Sequence, residues 1–232
     1  MTDLARAQNP HRLAGRHGAG SRALFALGTT AMVVLALASI VYLLRPQWAE
    51  MPPLDAPPMP IVVAGVVFNV PPAAIRVPMQ RRAGPQERID LAYQWPELTP
   101  ASSQTAGPGP ELFVTIEQSH GLLPPGERLK SIYPRYFDEA PQTDPVGLII
   151  RPFGDGTPYQ GEDVLYDPAA PERFLVRCSR AQNQFVWATC IDERSVGNAA
   201  LTFRFPRHWL NEWREVTIAI DRLIERWRPA GR

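Results

Sequence analysis

The sequence predicts an α+β domain, a mostly antiparallel sheet covered by a C-terminal amphipathic helix, carried behind a single N-terminal transmembrane helix. Three patterns point there. Ile89, Leu91, Tyr93 and Trp95 alternate with Asp90, Ala92 and Gln94, the two-residue period of a half-buried strand. Arg173–Ser179, Val186–Glu193 and Leu201–Phe205 read as three successive strands, the first two joined by the polar turn Arg180–Gln184. Trp209, Trp213, Val216, Ile220, Leu223 and Trp227 then recur at steps of three and four, with Glu212, Glu215, Asp221, Arg222, Glu225 and Arg226 on other faces. A helix with such a stripe docks on the sheet it follows.

The amino end has a different character. An uncharged run of 22 residues, Ala23 to Leu44, lies between Arg22 and Arg45. As a helix it is long enough to cross a hydrocarbon core of about 30 Å. A cleaved secretory signal competes, with Ala36-Leu37-Ala38 as its small-residue site, but Ile40–Leu44 carries the apolar run past that cut. A globular core helix would show a polar stripe, and only Thr29, Thr30 and Ser39 interrupt this one.

Charge sets the orientation. Arg6, Arg12, Arg16 and Arg22 precede the run against one acid, Asp3, whereas after Arg45 the next basic residue is Arg76. Arginine excess marks the cytoplasmic side, so the bulk of the chain is expected outside. The predicted organisation is a basic cytoplasmic tail (1–22), a transmembrane helix (23–44), a proline-rich linker (45–60) and an extracytoplasmic domain (61–232). That domain, roughly 170 residues, is enough for one proper core. A single lysine, Lys130, beside 23 arginines is the bias of GC-rich coding, and no N-x-[ST] acceptor occurs. Both suit a bacterial periplasm, with the helix in the inner membrane.

Between these ends, Ile61–Val70 reads as one buried strand, Pro72–Ile75 as a helical turn, Pro96–Pro110 as a surface loop and Glu111–Ser119 as a strand. Pro125–Phe137 starts like a helix that Pro134 must limit. Gly147–Phe153 and Val164–Tyr166 are short strands around a glycine-rich loop.

The chemistry-bearing residues are few. From residue 46 onward 19 basic residues face 22 acidic ones, which excludes the basic footprint of a nucleic-acid binder. Cys178 and Cys190 are equidistant from residue 184, so folding the hairpin sets them opposite each other as a disulfide. A redox pair or a zinc site fits less well, since C-x-x-C spacing and further ligands are missing. His11, His17, His120 and His208 show no ligand spacing, and Ser119-His120, adjacent on a strand, point to opposite faces and form no nucleophile–base pair. The acidic glycine loop at 153–167 is the one place for a metal or small ligand. Asp155, Glu162, Asp163 and Asp167 supply hard oxygens and Tyr159 and Tyr166 supply flat faces, although the spacing is not that of an EF-hand and a solvated turn explains it too. Arg173, Arg177 and Arg204 fall on strand positions facing away from the core, suited to an anionic partner.

No cofactor fingerprint or nucleophile motif is present. The sequence therefore reads as a membrane-anchored, non-enzymatic envelope interaction module whose partners are the lipid bilayer and another envelope protein. The other reading is an anchored enzyme or small-ligand or calcium sensor that uses loop 153–167.

Overall fold

The computed structural model describes residues 18–44, 52–101, 111–119, 121, 123–180 and 188–228. Two units are distinguished, one ending at Trp48 and one beginning at Ala49. In the first, helix α1 runs Gly18–Leu44. Its side chains are described over 27–42, and Leu27, Met32, Leu35 and Val41 among them are exposed. Among the described residues no helix is long and apolar enough to cross a membrane. The structure thus supplies a helix over the predicted run, starting earlier than Ala23.

In the second unit the apolar run at 61–70 is folded back on itself rather than extended as one strand. β1 (Met59–Val63) and β2 (Val66–Val70) pair antiparallel, with Val63 opposite Val66. Ala64 and Gly65 make the turn at φ 51° and 81°, the two positive values a type I′ hairpin requires. Ala64-Gly65 lacks the Asn-Gly or Asp-Gly signature, so an unbroken apolar run hid the reversal. β3 (Gly84–Pro85) pairs in parallel beside β1. Ile61, Val63, Phe68 and Val70 are fully buried.

The large sheet has nine strands: β4 (Arg88–Gln94), β5 (Thr99–Pro100), β6 (Glu111–Gln118), β7 (Gln142–Thr143), β8 (Ile149–Pro152), β9 (Glu162–Tyr166), β10 (Leu175–Ser179), β11 (Thr189–Val196) and β12 (Ala199–Pro206). Their order is β5-β4-β6-β12-β11-β10-β9-β8-β7, with every pairing antiparallel. The alternation in β4 and β6 is realised as read: Ile89, Leu91 and Tyr93, then Leu112, Val114 and Ile116, are buried. The β11–β12 reversal turns on Gly197 at φ 57°, where an added Cβ would lie 3.0 Å from Val66 Cγ2.

Two helices follow. α2 (Pro125–Ser131) ends at Ser131, and a single 3₁₀ turn, Tyr133–Arg135, takes over around Pro134. The C-terminal stripe starts with 3₁₀ winding over Arg207–Glu212 before α3 proper (Trp213–Trp227). All six stripe residues are buried, each worth roughly 1.5–3 kcal/mol of transfer free energy. Trp227 closes the core. Its ring lies 6.5 Å from that of Phe68, 6.0 Å from Tyr93 and 6.4 Å from Phe203, and its Nε1–H donates to the Tyr93 hydroxyl at 3.0 Å. Helix, small sheet and large sheet are therefore joined at one side chain.

The cysteines stand as the spacing requires. Cys178 is opposite Cys190, they are joined as a disulfide, and both are fully buried. Most of the intervening turn, 181–187, lies outside the described residues. Closing a loop of this size contributes about 3 kcal/mol in the chain-entropy picture.

Because Trp227 touches three elements at once, Trp227→Ala is expected to cost about 3–5 kcal/mol. Urea unfolding of the full chain in mild detergent measures it; near wild-type stability would show that α3 is not what closes this core.

Candidate functional site

Loop 153–167 does not gather its carboxylates. Asp155 is exposed between Gly154 and Gly156. That turn is held by Gly156 N–H donating to Gln160 Oε1 at 2.9 Å and Thr157 Oγ1 donating to Gly154 O at 2.8 Å. Glu162 and Asp163 are neighbours on β9, so the pleat sends them to opposite faces. Glu162 meets Arg177 at 2.7 Å on the face that carries α2. Asp163, 4% exposed, lies on the α3 face opposite Cys178 and is held by Arg207 at 2.6 Å and Arg180 at 3.3 Å. Asp167 caps its own turn by accepting from Ala169 N–H at 2.9 Å. Among the described residues no group of three or more His, Cys, Asp or Glu is placed to hold a metal ion.

The tyrosines of this loop are packing residues. Tyr159 stacks on Phe153 at 4.7 Å and meets Tyr133 and Tyr136 edge-on. With Phe137, Val164 and Leu175 they form a second, smaller core beneath α2. Arg177 and Arg151 lie over the rings of Tyr159 and Phe137 at 5.3 and 3.9 Å, and Arg128 pairs with Glu193. Burial pushes the Tyr133 hydroxyl up to about 12, an effect that Arg128 and Arg177 offset in part. His208 is exposed, His120 lies outside the described residues, and Ser119 N–H donates to Asn198 O at 2.8 Å.

The feature left over is a sheet face. α3 and its 3₁₀ lead-in cover one side of the nine strands, and α2 covers β9 and β10 on the other. Over β4, β6, β12 and β11 that second side is only partly covered: Arg76 lies over Phe113, Gln80 hydrogen-bonds to Asp90 and Arg128 of α2 reaches Glu193, while Arg204 is exposed. Across it the register aligns Ala92, Phe113, Arg204, Ile191 and Arg177 in one row, and Asp90, Thr115, Thr202 and Glu193 in the next. Phe113 and Ile191 are half-exposed and Arg204 is exposed. The Arg76 guanidinium lies 4.5 Å over the Phe113 ring. Sequence reasoning found Arg177 and Arg204 on this face, but missed Phe113, Ile191 and Arg76. The first two were legible as the outward partners of the alternation in β6 and β11; Arg76 precedes β4 and carried no pattern.

The third arginine belongs elsewhere. β10 starts only at Leu175, because the backbone at 170–174 turns with Arg173 N–H donating to Ala170 O at 2.9 Å. Arg173 points instead toward α3 and lies 3.8 Å from Asp221.

Electrostatics separates the two sides. On the open side burial pulls the Asp90 carboxyl up, but hydrogen bonds from Arg88, Gln80 and Thr115 outweigh it and hold the group below the usual carboxylate range. Its stabilising contribution is therefore present above the ordinary carboxylate value and lost as pH falls through the depressed one. On the α3 side Asp192, 1% exposed, is raised. Burial dominates, Arg194 at 2.9 Å offsets only part of it, and Asp221 and Glu193 add to the rise. The sign reverses here: stability falls as pH climbs from the ordinary carboxylate value through the raised one.

No protein-family model and no curated protein matches this chain. Among solved structures, an immunity protein of the Stenotrophomonas maltophilia type IV secretion system superposes with a TM-score of 0.53 at 14% identity, covering 75% of this chain and 94% of that one. That likeness is one of fold. The iron-regulated outer membrane lipoprotein FrpD of Neisseria meningitidis aligns over 74% of this chain and 94% of its own at 10% identity, with a TM-score of 0.40. The mixed α+β architecture, a mostly antiparallel sheet with a C-terminal helix, is thus an arrangement another chain adopts.

Two outcomes are expected. Millimolar calcium should leave the melting temperature of the disulfide-intact protein unchanged, since Glu162 and Asp163 are committed to arginines on opposite faces; a calcium-dependent rise would restore the loop as a site. Asp192→Ala or Arg194→Ala alone should cost about 3–5 kcal/mol by stranding the partner's charge, and Asp192→Leu with Arg194→Met should cost far less than the two added. Urea denaturation of the four variants decides it; simple additivity would mean that the two do not act as a unit.

Proposed function

We propose that this chain is a non-enzymatic cell-envelope interaction module, anchored in the bacterial inner membrane with its amino terminus cytoplasmic and its sheet domain periplasmic. The anchor reading rests on the uncharged run Ala23–Leu44 between Arg22 and Arg45, and on the apolar side chains that α1 leaves exposed over 27–42. A helix apolar on every side needs a nonpolar surround. The buried disulfide fits an oxidising compartment.

One observation carries the interaction reading: the open sheet face with Arg204 exposed and without an ion-pair partner among the described residues, beside Phe113 stacked under Arg76. Aromatic and arginine side chains grouped on a half-exposed surface are what protein interfaces concentrate. The other cation of the row, Arg177, is neutralised by Glu162, so Arg204 is the cation that this row leaves without an ion-pair partner among the described residues. The partner is a protein that presents carboxylates to it. The solved structure of similar fold is an immunity protein, a role with which a non-enzymatic module is compatible.

The test is cross-linking in intact cells followed by purification of the full chain from mild detergent, with wild type and Arg204→Glu in parallel. A stoichiometric envelope protein held by wild type and lost, by tenfold or more in recovery, with Arg204→Glu is the expected result. Recovery of the chain alone, or equal capture by both, would overturn the reading.

A further inference from the structure

We infer that the segment 76–88 is a bilayer-contacting patch that seats the sheet domain on anionic phospholipid headgroups. The inference rests on the anchor reading above, and it concerns the surface beside the open sheet face, the two meeting at Arg76 and Arg88.

The outer side of the small sheet is unusually apolar for a solvent-facing surface. β1 and β2 turn Pro60, Val62 and Val67 away from the core, and Val67 is 36% exposed. Next to them the 3₁₀ turn Pro78–Gln80 projects Met79, which at 86% is the most exposed large apolar side chain among the described residues, with Val77 beside it at 38%. The turn itself is well fixed. Gln80 Nε2–H donates to Asp90 Oδ2 at 3.1 Å, Gln80 Oε1 accepts Asp90 N–H at 2.8 Å, and Arg81 Nε–H donates to Ile75 O at 3.1 Å. Met79 is thus held out by a built support. An open trough of about 940 Å³ runs alongside, bordered by Val62, Met79, Gln80, Arg82, Pro85 and Arg88.

Charge selects the occupant. The segment holds Arg76, Arg81, Arg82 and Arg88 against Glu87; with Arg88 paired to Asp90 and Glu117, the positive excess comes from Arg76, Arg81 and Arg82. The remainder of the chain from residue 46 carries 15 basic and 21 acidic residues. A positive patch on an otherwise acidic domain makes an electric dipole, and a negatively charged bilayer surface orients it patch-first. Each basic residue near such a surface is worth about 1 kcal/mol, and an exposed methionine adds apolar contact at the headgroup boundary. A protein partner for the same patch would leave the acidic remainder without a role in orientation.

The full chain, reconstituted into vesicles of phosphatidylcholine with or without phosphatidylglycerol, tests this with an environment-sensitive fluorophore on Met79→Cys; the native cysteines are disulfide-bonded and stay unlabelled. Flotation first establishes that the chain is retained by the vesicles. The expected result is blue-shifted emission and several-fold slower iodide quenching at this site only when phosphatidylglycerol is present. Arg82→Glu in the labelled chain should abolish both, and a label on Asp155→Cys should sense neither. A chain that floats with the vesicles while its Met79→Cys label stays open to iodide overturns the inference and leaves the anchor intact. A chain that does not float overturns both. Protection without dependence on phosphatidylglycerol, or protection only when a co-purified envelope protein is bound, refutes the anionic-lipid assignment.

Discussion

The contact on which most of this domain depends is made by the indole of Trp227. It is the point where the last turn of α3, the hairpin of β1 and β2, and the centre of the nine-stranded sheet meet, and it is also the hydrogen-bond donor to the buried Tyr93 hydroxyl. Burial raises the pKa of that hydroxyl strongly, which keeps it neutral and able to accept. The phenol and indole satisfy each other's polar atoms inside an otherwise apolar contact, so specificity is added where desolvation would otherwise cost stability.

From that clasp follows the asymmetry of the sheet. The α3 side is dense with aromatic packing: Trp209 against Trp95 and Phe205, Trp213 against Phe174. Its few charges, Asp163 and Asp192, each have arginine partners. The other side has α2 and its aromatic satellite over β9 and β10, and the strands beyond carry threonines, paired charges and the exposed Arg204, with Arg76 stacked on Phe113. A sheet with one face in the core and one face toward solvent is the usual antiparallel solution.

Much of this architecture was legible because period and burial coincide. Ile89, Leu91 and Tyr93 face the core as two-residue alternation demands, and the α3 stripe from Trp213 to Trp227 is buried as a 3.6-residue period demands. The cysteine register followed from symmetry about residue 184. What escaped had no periodic signature. Ala64-Gly65 reverses the chain inside an unbroken apolar run, and β3 and β7 are two residues each, too short for any pattern. The candidate surface was half visible: Arg204 and Arg177 share a face because strands alternate, whereas Arg173 belongs to a turn, and strand parity does not apply to it. In the acidic loop composition counts carboxylates and cannot tell that Glu162 and Asp163 part company across a pleat.

The pair Asp192–Arg194 has a consequence beyond energetics. Both side chains lie on the α3 side of β11, two residues apart, and each is the other's compensation. A lineage cannot change either one singly without stranding a charge, nor reach a nonpolar pair without passing through such an intermediate. The two positions therefore descend as one inherited character. In diverging copies of this fold the pair is expected to be both charged or both apolar, because a single change strands a buried charge.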